Sequence, residues 1–360
     1  VLLDVPLVAD PDYIDFLKGR VESLHSLYFR LPGERVLDSR YRFWIEEETA
    51  LTEALSALVG PGKYALLNSR FYRPDIYDDS NLLSETVSQL IRIKSAAGLD
   101  GVVFSDFYFL CALVDRAEGS LETLEAVPSV NGHLDRYPKI RRVFDRIAEL
   151  GFRPPRRVIL DRSLNRRPNE LRSLTSRLRK AYPGIHIGLL ANEGCLADCP
   201  FKPAHDAHIA MGNMNVATEN THSLNRDLGC IRLFWARPEL IFSSPLIRPE
   251  DAKRYDGLVD FLKLSGRTLG GRFLENAIEA YGRCRYEGNL LDLSDTLEAL
   301  AGRMYIPNHQ LPADFWERSC RCPDRCDTCG FCREMAETHL TRGPAVFHPM
   351  VRRSASGRGF

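Results

Sequence analysis

Eight short apolar runs recur along the chain, and most are followed by a stretch with helical spacing of its apolar residues. The runs are "LLDVPLV" (2–8), "LHSLYF" (24–29), "KYALLN" (63–68), "GVVFSD" (101–106), "LEAVPSV" (124–130), "RVILDR" (157–162), "IHIGLLAN" (185–192) and "DFLKLSG" (260–266). Their brevity, β-branched content and Gly, Pro or polar boundaries predict strands buried on both faces. Between them, Leu83, Val87, Leu90 and Ile91 share one helical face, as do Ile140, Val143, Phe144, Ile147 and Leu150. "PNELRSLTSRLRKAYPG" starts with Pro at a first helical position and stops at a Pro-Gly break. Strands alternating with helices predict a parallel sheet. Eight of them predict a (β/α)8 TIM-like barrel, a fold of about 250 residues. A doubly wound open sheet is the alternative, but its glycine-rich dinucleotide fingerprint is absent.

Two segments break the rhythm. Residues 193–250 form a long excursion before the last strand, and 305–360 form a cysteine-rich extension. The expected division is a barrel over 1–304, a metal-binding extension over 305–345 and a disordered tail over 346–360. No period of about 20–50 residues marks a solenoid. Lys+Arg and Asp+Glu number 48 each, so the chain lacks the basic excess of a bulk nucleic-acid binder. A small, anionic molecule is the favoured partner, with nucleic acid second. No apolar run reaches the roughly eighteen residues of a membrane helix, and the N-terminus has no basic leader. The expected location is the cytoplasm, with no membrane contact. There, clustered cysteines bind metal or do redox chemistry more often than they form disulfides.

Barrel active sites lie at the C-terminal ends of the strands. Those ends carry Asn68, Ser105, Asp106, Ser129, Asn131, Asp161, Arg162, Asn192, Glu193, Ser265 and Arg267. Turn and cap chemistry favours the same residue types, so the set predicts a polar pocket mouth rather than individual roles. Seven of ten cysteines fall in "NEGCLADCP" (192–200) and "CRCPDRCDTCGFC" (320–332). Cys195 and Cys199 have Cys230 further along the excursion. Cys322, Cys326, Cys329 and Cys332 form C-x3-C-x2-C-x2-C, with Cys320 just ahead. Such density signals metal; zinc and an iron–sulfur cluster both suit it. The radical S-adenosylmethionine spacing in "CPDRCDTC" lies in the wrong context, after the last strand. His205 and His208 follow the first pair. No H-E-x-x-H, G-x-S-x-G or P-loop motif occurs.

"LLANEGCLADCPFKPAHDAHIA" resembles the cysteine region of the collagenase-like unassigned-peptidase family thirty-two. It is closest to an uncharacterised branch with N-E-G-C-L-x-x-C-P-F followed by a histidine. "LIFSSPLIRPEDAKRYDGLVDFLKLSGRT", "YEGNLLDL", "LYFRLPGERVLDSR", "YALLNSRF" and the C-terminal cysteine run resemble further segments, so the likeness spans residues 1–335. The resemblance implies a barrel carrying a [4Fe–4S] cluster, with Cys195, Cys199 and Cys230 among its ligands. The fourth ligand is open. The extension supplies it by folding back over the mouth, or its own four cysteines hold a second cluster or zinc.

The function expected from this is oxygen-independent hydroxylation, or a related redox modification, of a small organic or nucleobase substrate. Asn192, Glu193 and His205 are the expected catalytic groups, with Glu193 or His205 moving protons. Asn68, Asp106, Arg248 and Arg267 are expected to bind substrate, an arginine pairing with its anionic group. The alternative is a non-catalytic zinc or cluster scaffold, and a partner of the same family suits either reading. Proteolysis is not expected, because no protease constellation is visible.

Overall fold

The computed structural model describes residues 1–33, 35–40, 47–214, 216, 221–322 and 325–343. Each of the eight apolar runs is a strand, and a helix follows each. The order is β1 (Leu2–Pro6), α1 (Pro11–Lys18), β2 (Leu24–Arg30), α2 (Glu48–Ala57), β3 (Gly62–Leu67), α3 (Ser80–Ala97), β4 (Gly101–Phe104), α4 (Phe107–Ala117) and β5 (Glu125–Pro128). Then come α5 (Tyr137–Glu149), β6 (Arg157–Leu160), α6 (Pro168–Ala181) and β7 (His186–Leu190). The excursion carries α7 (Lys202–Asn213), α8 (Thr221–Asp227), α9 (Cys230–Ala236) and α10 (Glu239–Phe242), before β8 (Phe261–Lys263) and α11 (Gly271–Arg283). All pairings in the eight-stranded sheet are parallel, in the order β5-β4-β3-β2-β1-β8-β7-β6. The protein is a (β/α)8 barrel, as its alternation of elements predicts.

Alternate strand residues face opposite ways. Leu3, Val5, Leu27, Phe29, Ala65, Val102, Ala126, Val158, Ile187 and Leu262 join the helix faces in the main core. On α3 the buried stripe takes Ile93 where Ile91 was expected. Tyr28, Tyr64, Leu66, Val103 and Val127 form a separate cluster within the ring, as do Ile159, Leu190, Phe261 and Val130. Gly188 makes room for the Phe261 ring, because a Cβ there would overlap it.

The interior also holds charge. Asp4 is fully buried and takes Arg157 and Lys263, each at 2.8 Å. Burial works to raise the Asp4 pKa, but the two cations hold it well below the carboxylate range. Burial pushes Lys263 down to about 7, although Asp4 works to hold it up. One carboxylate therefore serves two cations, and the lysine is the one that yields its proton.

The ring closes between β5 and β6 without a strand ladder. A single bridge pairs Glu125 with Arg153 at the lower end, and the Asp161 amide donates to the Leu134 carbonyl at the upper end (3.0 Å). Glu125, with no exposed surface, is the centre of this seam. Its carboxylate accepts from Arg153 Nη2 (2.9 Å), Arg156 Nε (2.7 Å), the Arg156 amide (3.2 Å) and Tyr64 OH (3.3 Å).

The excursion and the C-terminal extension build a second core. It joins Leu196, Phe234 and Phe242 to Leu297, Met304, Phe315, Phe331 and Met335. α12 (Glu298–Ala301) and β9 (Met304–Tyr305) lead into the extension, which contains α13 (Phe315–Cys320), α14 (Cys326–Cys329), α15 (Phe331–His339) and β10 (Thr341–Arg342), with β9 and β10 antiparallel. The expected disordered tail, 346–360, lies outside the described residues. Among the described residues no helix is long and apolar enough to cross a membrane.

Two outcomes follow from the buried charges. Glu125→Ala removes charge-assisted bonds on both sides of the seam and costs about 2–3 kcal/mol in urea unfolding; an unchanged midpoint would refute the seam role. Between pH 7 and the ordinary lysine value of 10.5, the unfolded chain holds the Lys263 proton and the folded chain does not. Stability therefore climbs with pH across that window. Wild type gains on Lys263→Met from pH 7 to 10, whereas a constant difference between the two counts against the shifted lysine.

Candidate functional site

The seam brings the loops after β5 and β6 together at the C-terminal face. Asp161 follows β6 and caps a 3-10 turn, its Oδ1 accepting from the Ser163 amide (2.9 Å). Its Oδ2 lies 3.0 Å from His133 Nδ1, in the loop after β5. Burial works to raise the Asp161 pKa, but the His133 and Ser163 hydrogen bonds and the Arg162 charge hold it well below the carboxylate range. The carboxylate fixes Nδ1 as the donor and leaves Nε2 for proton exchange. His133 is in the left-handed region (φ 49°), a conformation sparsely used outside glycine.

This pair opens onto a cavity of about 1150 Å³, bounded by the β6 and β7 loops, the excursion and the extension. That is somewhat above the usual range of about 300–1,000 Å³ for ligand pockets. Cys195 and Cys199 line it from β7's side, and Cys320, Cys322, Cys326, Cys329 and Cys332 line it from the extension. The extension does fold back over the mouth. Arg166 ties it there, donating to the Ser244 and Leu246 carbonyls of the excursion (3.2 and 2.9 Å) and to Ser319 Oγ of α13 (2.6 Å). Phe315 packs beneath, its ring centroid 5.8 Å from Phe331, 6.4 Å from Phe242 and 4.6 Å from the Arg248 guanidinium.

The predicted residues divide. Glu193 forms an ion pair with Arg162, whose Nη1 also faces Cys195 Sγ at 3.7 Å. Asn192 is fully buried and holds strand ends together: Nδ2 donates to the Ser265 and Leu293 carbonyls, and Oδ1 accepts from the Ser265 amide. Asn68 accepts from the Ser39 amide and faces Ser129. Asp106 caps α4 and accepts from Tyr77 OH (2.7 Å). Arg248 is clamped by Asp251 at 2.7 and 2.9 Å. Arg267 pairs with Asp38 at 2.7 Å. His205, on α7, meets Asn225 at 3.4 Å, and burial pushes it down to about 4, with Lys202 adding. His133 and Lys202 were not singled out. "SVNGHLD" places His133 two residues past a marked strand end, and that proximity was the available signal.

Cys195, Cys199 and Cys230 come within electrostatic reach of one another. Burial pushes the Cys195 thiol up, with Cys199 and Cys230 adding, and takes Cys230 up to about 11. Burial likewise takes Cys332 up to about 11, with Cys322, Cys326 and Cys329 adding. Among the described residues, no group of three or more His, Cys, Asp and Glu side chains is disposed to hold a metal ion.

The fold and site define a (β/α)8 barrel with a large cavity at its C-terminal face. No family model matches the chain. An uncharacterized protease of Methanocaldococcus jannaschii is 33% identical over 186 residues, 51% of this chain and 53% of that protein. The chain thus spans about half the length of this curated relative. A solved U32 peptidase structure aligns over 74% of this chain and 94% of its own, with 15% identity and a TM-score of 0.47. With half of the chain matched, the likeness to peptidase family thirty-two stays a resemblance. The expectation of hydroxylation, and of a metal scaffold as its alternative, is corrected: the curated relative is named a protease, and neither reading finds support in the comparisons. That name also runs against the expectation of no proteolysis. The His133–Asp161 pair comes from two loops and matches no linear motif.

Phe315→Ala removes the anchor of the extension. It costs about 3–5 kcal/mol locally and speeds alkylation of half-buried Cys320, while labelling of Cys111 on α4 stays unchanged. Equal Cys320 rates in both proteins would show that Phe315 does not hold the extension down.

Proposed function

We propose that the chain is a peptide-bond hydrolase working in the cavity at the β5–β6 seam. The observation that carries this is the His133–Asp161 pair (3.0 Å) opening onto a space large enough for several residues of substrate. The name of the Methanocaldococcus relative supports the same reaction class.

In this reading His133 acts through Nε2, taking a proton from the attacking group and returning it to the leaving amine. Asp161 keeps the ring in one tautomer and steadies the imidazolium that forms. Lys202 and Arg166 line the same cavity and supply cationic donors for the charge that develops on the carbonyl oxygen. The attacking group is water. Cys195 Sγ faces the same cavity, but burial keeps its thiol protonated and therefore weak as a nucleophile.

The test is cleavage of a mixed peptide library by the purified chain, followed by mass spectrometry. His133→Ala and Asp161→Asn each lower the rate by about 10²–10⁴ and leave the thermal midpoint within a few degrees. Cys195→Ser retains cleavage if water attacks. Wild type that cuts no peptide, or His133→Ala that cuts as fast, refutes the assignment.

A further inference from the structure

The hydrolase reading leaves the cysteines of the extension unused, yet five of them line the cavity wall. Cys322, Cys326 and Cys329 are exposed and Cys332 is half-buried; none of the ten cysteines is in a disulfide. The four sulfurs lie within electrostatic reach at Cys332. Cys326 and Cys329 open and close the single turn of α14, three residues apart on one helical face. Gly330 then breaks the helix with a left-handed φ of 67°, and α15 starts at Phe331, so that Cys332 lines the same cavity as Cys326 and Cys329.

The segment is pinned at both ends. Ser319 is held by Arg166 on one side. Phe331, on the other, is buried in the second core with the Arg318 guanidinium 4.3 Å from its ring centre. A short segment with anchored ends keeps its thiols at high effective concentration, which favours an internal disulfide over separate reactions with solutes.

We propose that Cys326 and Cys329 form a reversible dithiol–disulfide site on the cavity wall, with Cys332 beside it able to exchange into the bond. The oxidant is a low-molecular-weight disulfide of the glutathione class. One protein thiolate attacks that disulfide and releases one small thiol. The second protein thiolate attacks the mixed disulfide and releases the other. Two protein thiols are oxidised, one small disulfide is reduced to two thiols, and the two protons pass from the protein to the released thiolates. Because the pair lines the cavity, oxidation replaces two thiols of the substrate-facing wall with a rigid cross-link. The chemistry does not depend on the hydrolase reading.

The test uses the full chain, purified without oxygen and assayed for iron and zinc. It is equilibrated in glutathione buffers from fully reduced to fully oxidised, quenched with acid and mass-tagged at each thiol. The expected result is a reversible loss of two tags, mapped to peptides containing Cys326 and Cys329 or Cys332, while Cys111 and Cys284 stay labelled. Cys326→Ser with Cys329→Ser abolishes the two-tag step, and either single variant combined with Cys332→Ser instead traps glutathione on the remaining cysteine. Four results overturn the proposal: no loss at any ratio, loss confined to cysteines outside 322–332, glutathione on wild type without an internal bond, or thiols shielded by bound metal until a chelator is added. None of these bears on whether the chain cleaves peptides.

Discussion

The seam that closes the barrel is built around one buried carboxylate. A (β/α)8 ring normally closes through a strand ladder, and here, among the described residues, the β5–β6 seam is joined by a bridge at Glu125–Arg153 and by the Asp161–Leu134 hydrogen bond. Glu125 has no exposed surface, so its charge must be met inside the structure. It is met by Arg153, Arg156 and Tyr64, drawn from the approach to β6 and from β3. That satisfaction fixes β6 beside β5. With the strands so placed, the loops above them converge and His133 reaches Asp161. The candidate chemistry therefore depends on a charge pair at the other end of the ring.

A second buried network works within the same ring. Asp4, Arg157 and Lys263 stand on β1, β6 and β8, and the shared carboxylate makes their relative positions specific. An apolar interior of equal volume could be as stable. Phe261 and Tyr64 lie against the Arg157 guanidinium (4.8 and 4.5 Å), so the charge is sandwiched as well as paired. Gly188 leaves the space that Phe261 occupies.

The cavity is a product of three chain segments far apart in sequence. The β5 and β6 loops supply His133 and Asp161, the excursion supplies Cys195, Cys199 and Lys202, and the extension supplies the remaining wall. Arg166 is the tie between them, with one guanidinium donating to the excursion twice and to α13 once. The second core beneath it is a packed apolar unit in its own right. Its large anchors, Phe242, Phe315 and Phe331, are spread over ninety residues, so no local window announces it.

The eight strands and their helices were legible because each is a local pattern: apolar runs bounded by turn residues, and spacing that puts Ile140, Phe144 and Ile147 on one face. The polar mouth was legible too, since strand ends in a barrel share one face. What each polar residue does there was not. Asp106 and Asn192 satisfy backbone groups, as residues of their type do at turns, while Asp161 meets both a backbone amide and a histidine. Composition is the same in both cases, and only the neighbour across the seam separates them. The cysteine runs show chain spacing, whereas which sulfurs line the same cavity depends on Arg166, Phe315 and the placement of α15. Sequence by itself determined the elements, their order and the barrel. Tertiary structure alone decided the seam, the second core and the His133–Asp161 pair, because each rests on long-range contacts between buried charges and rings with no local signature.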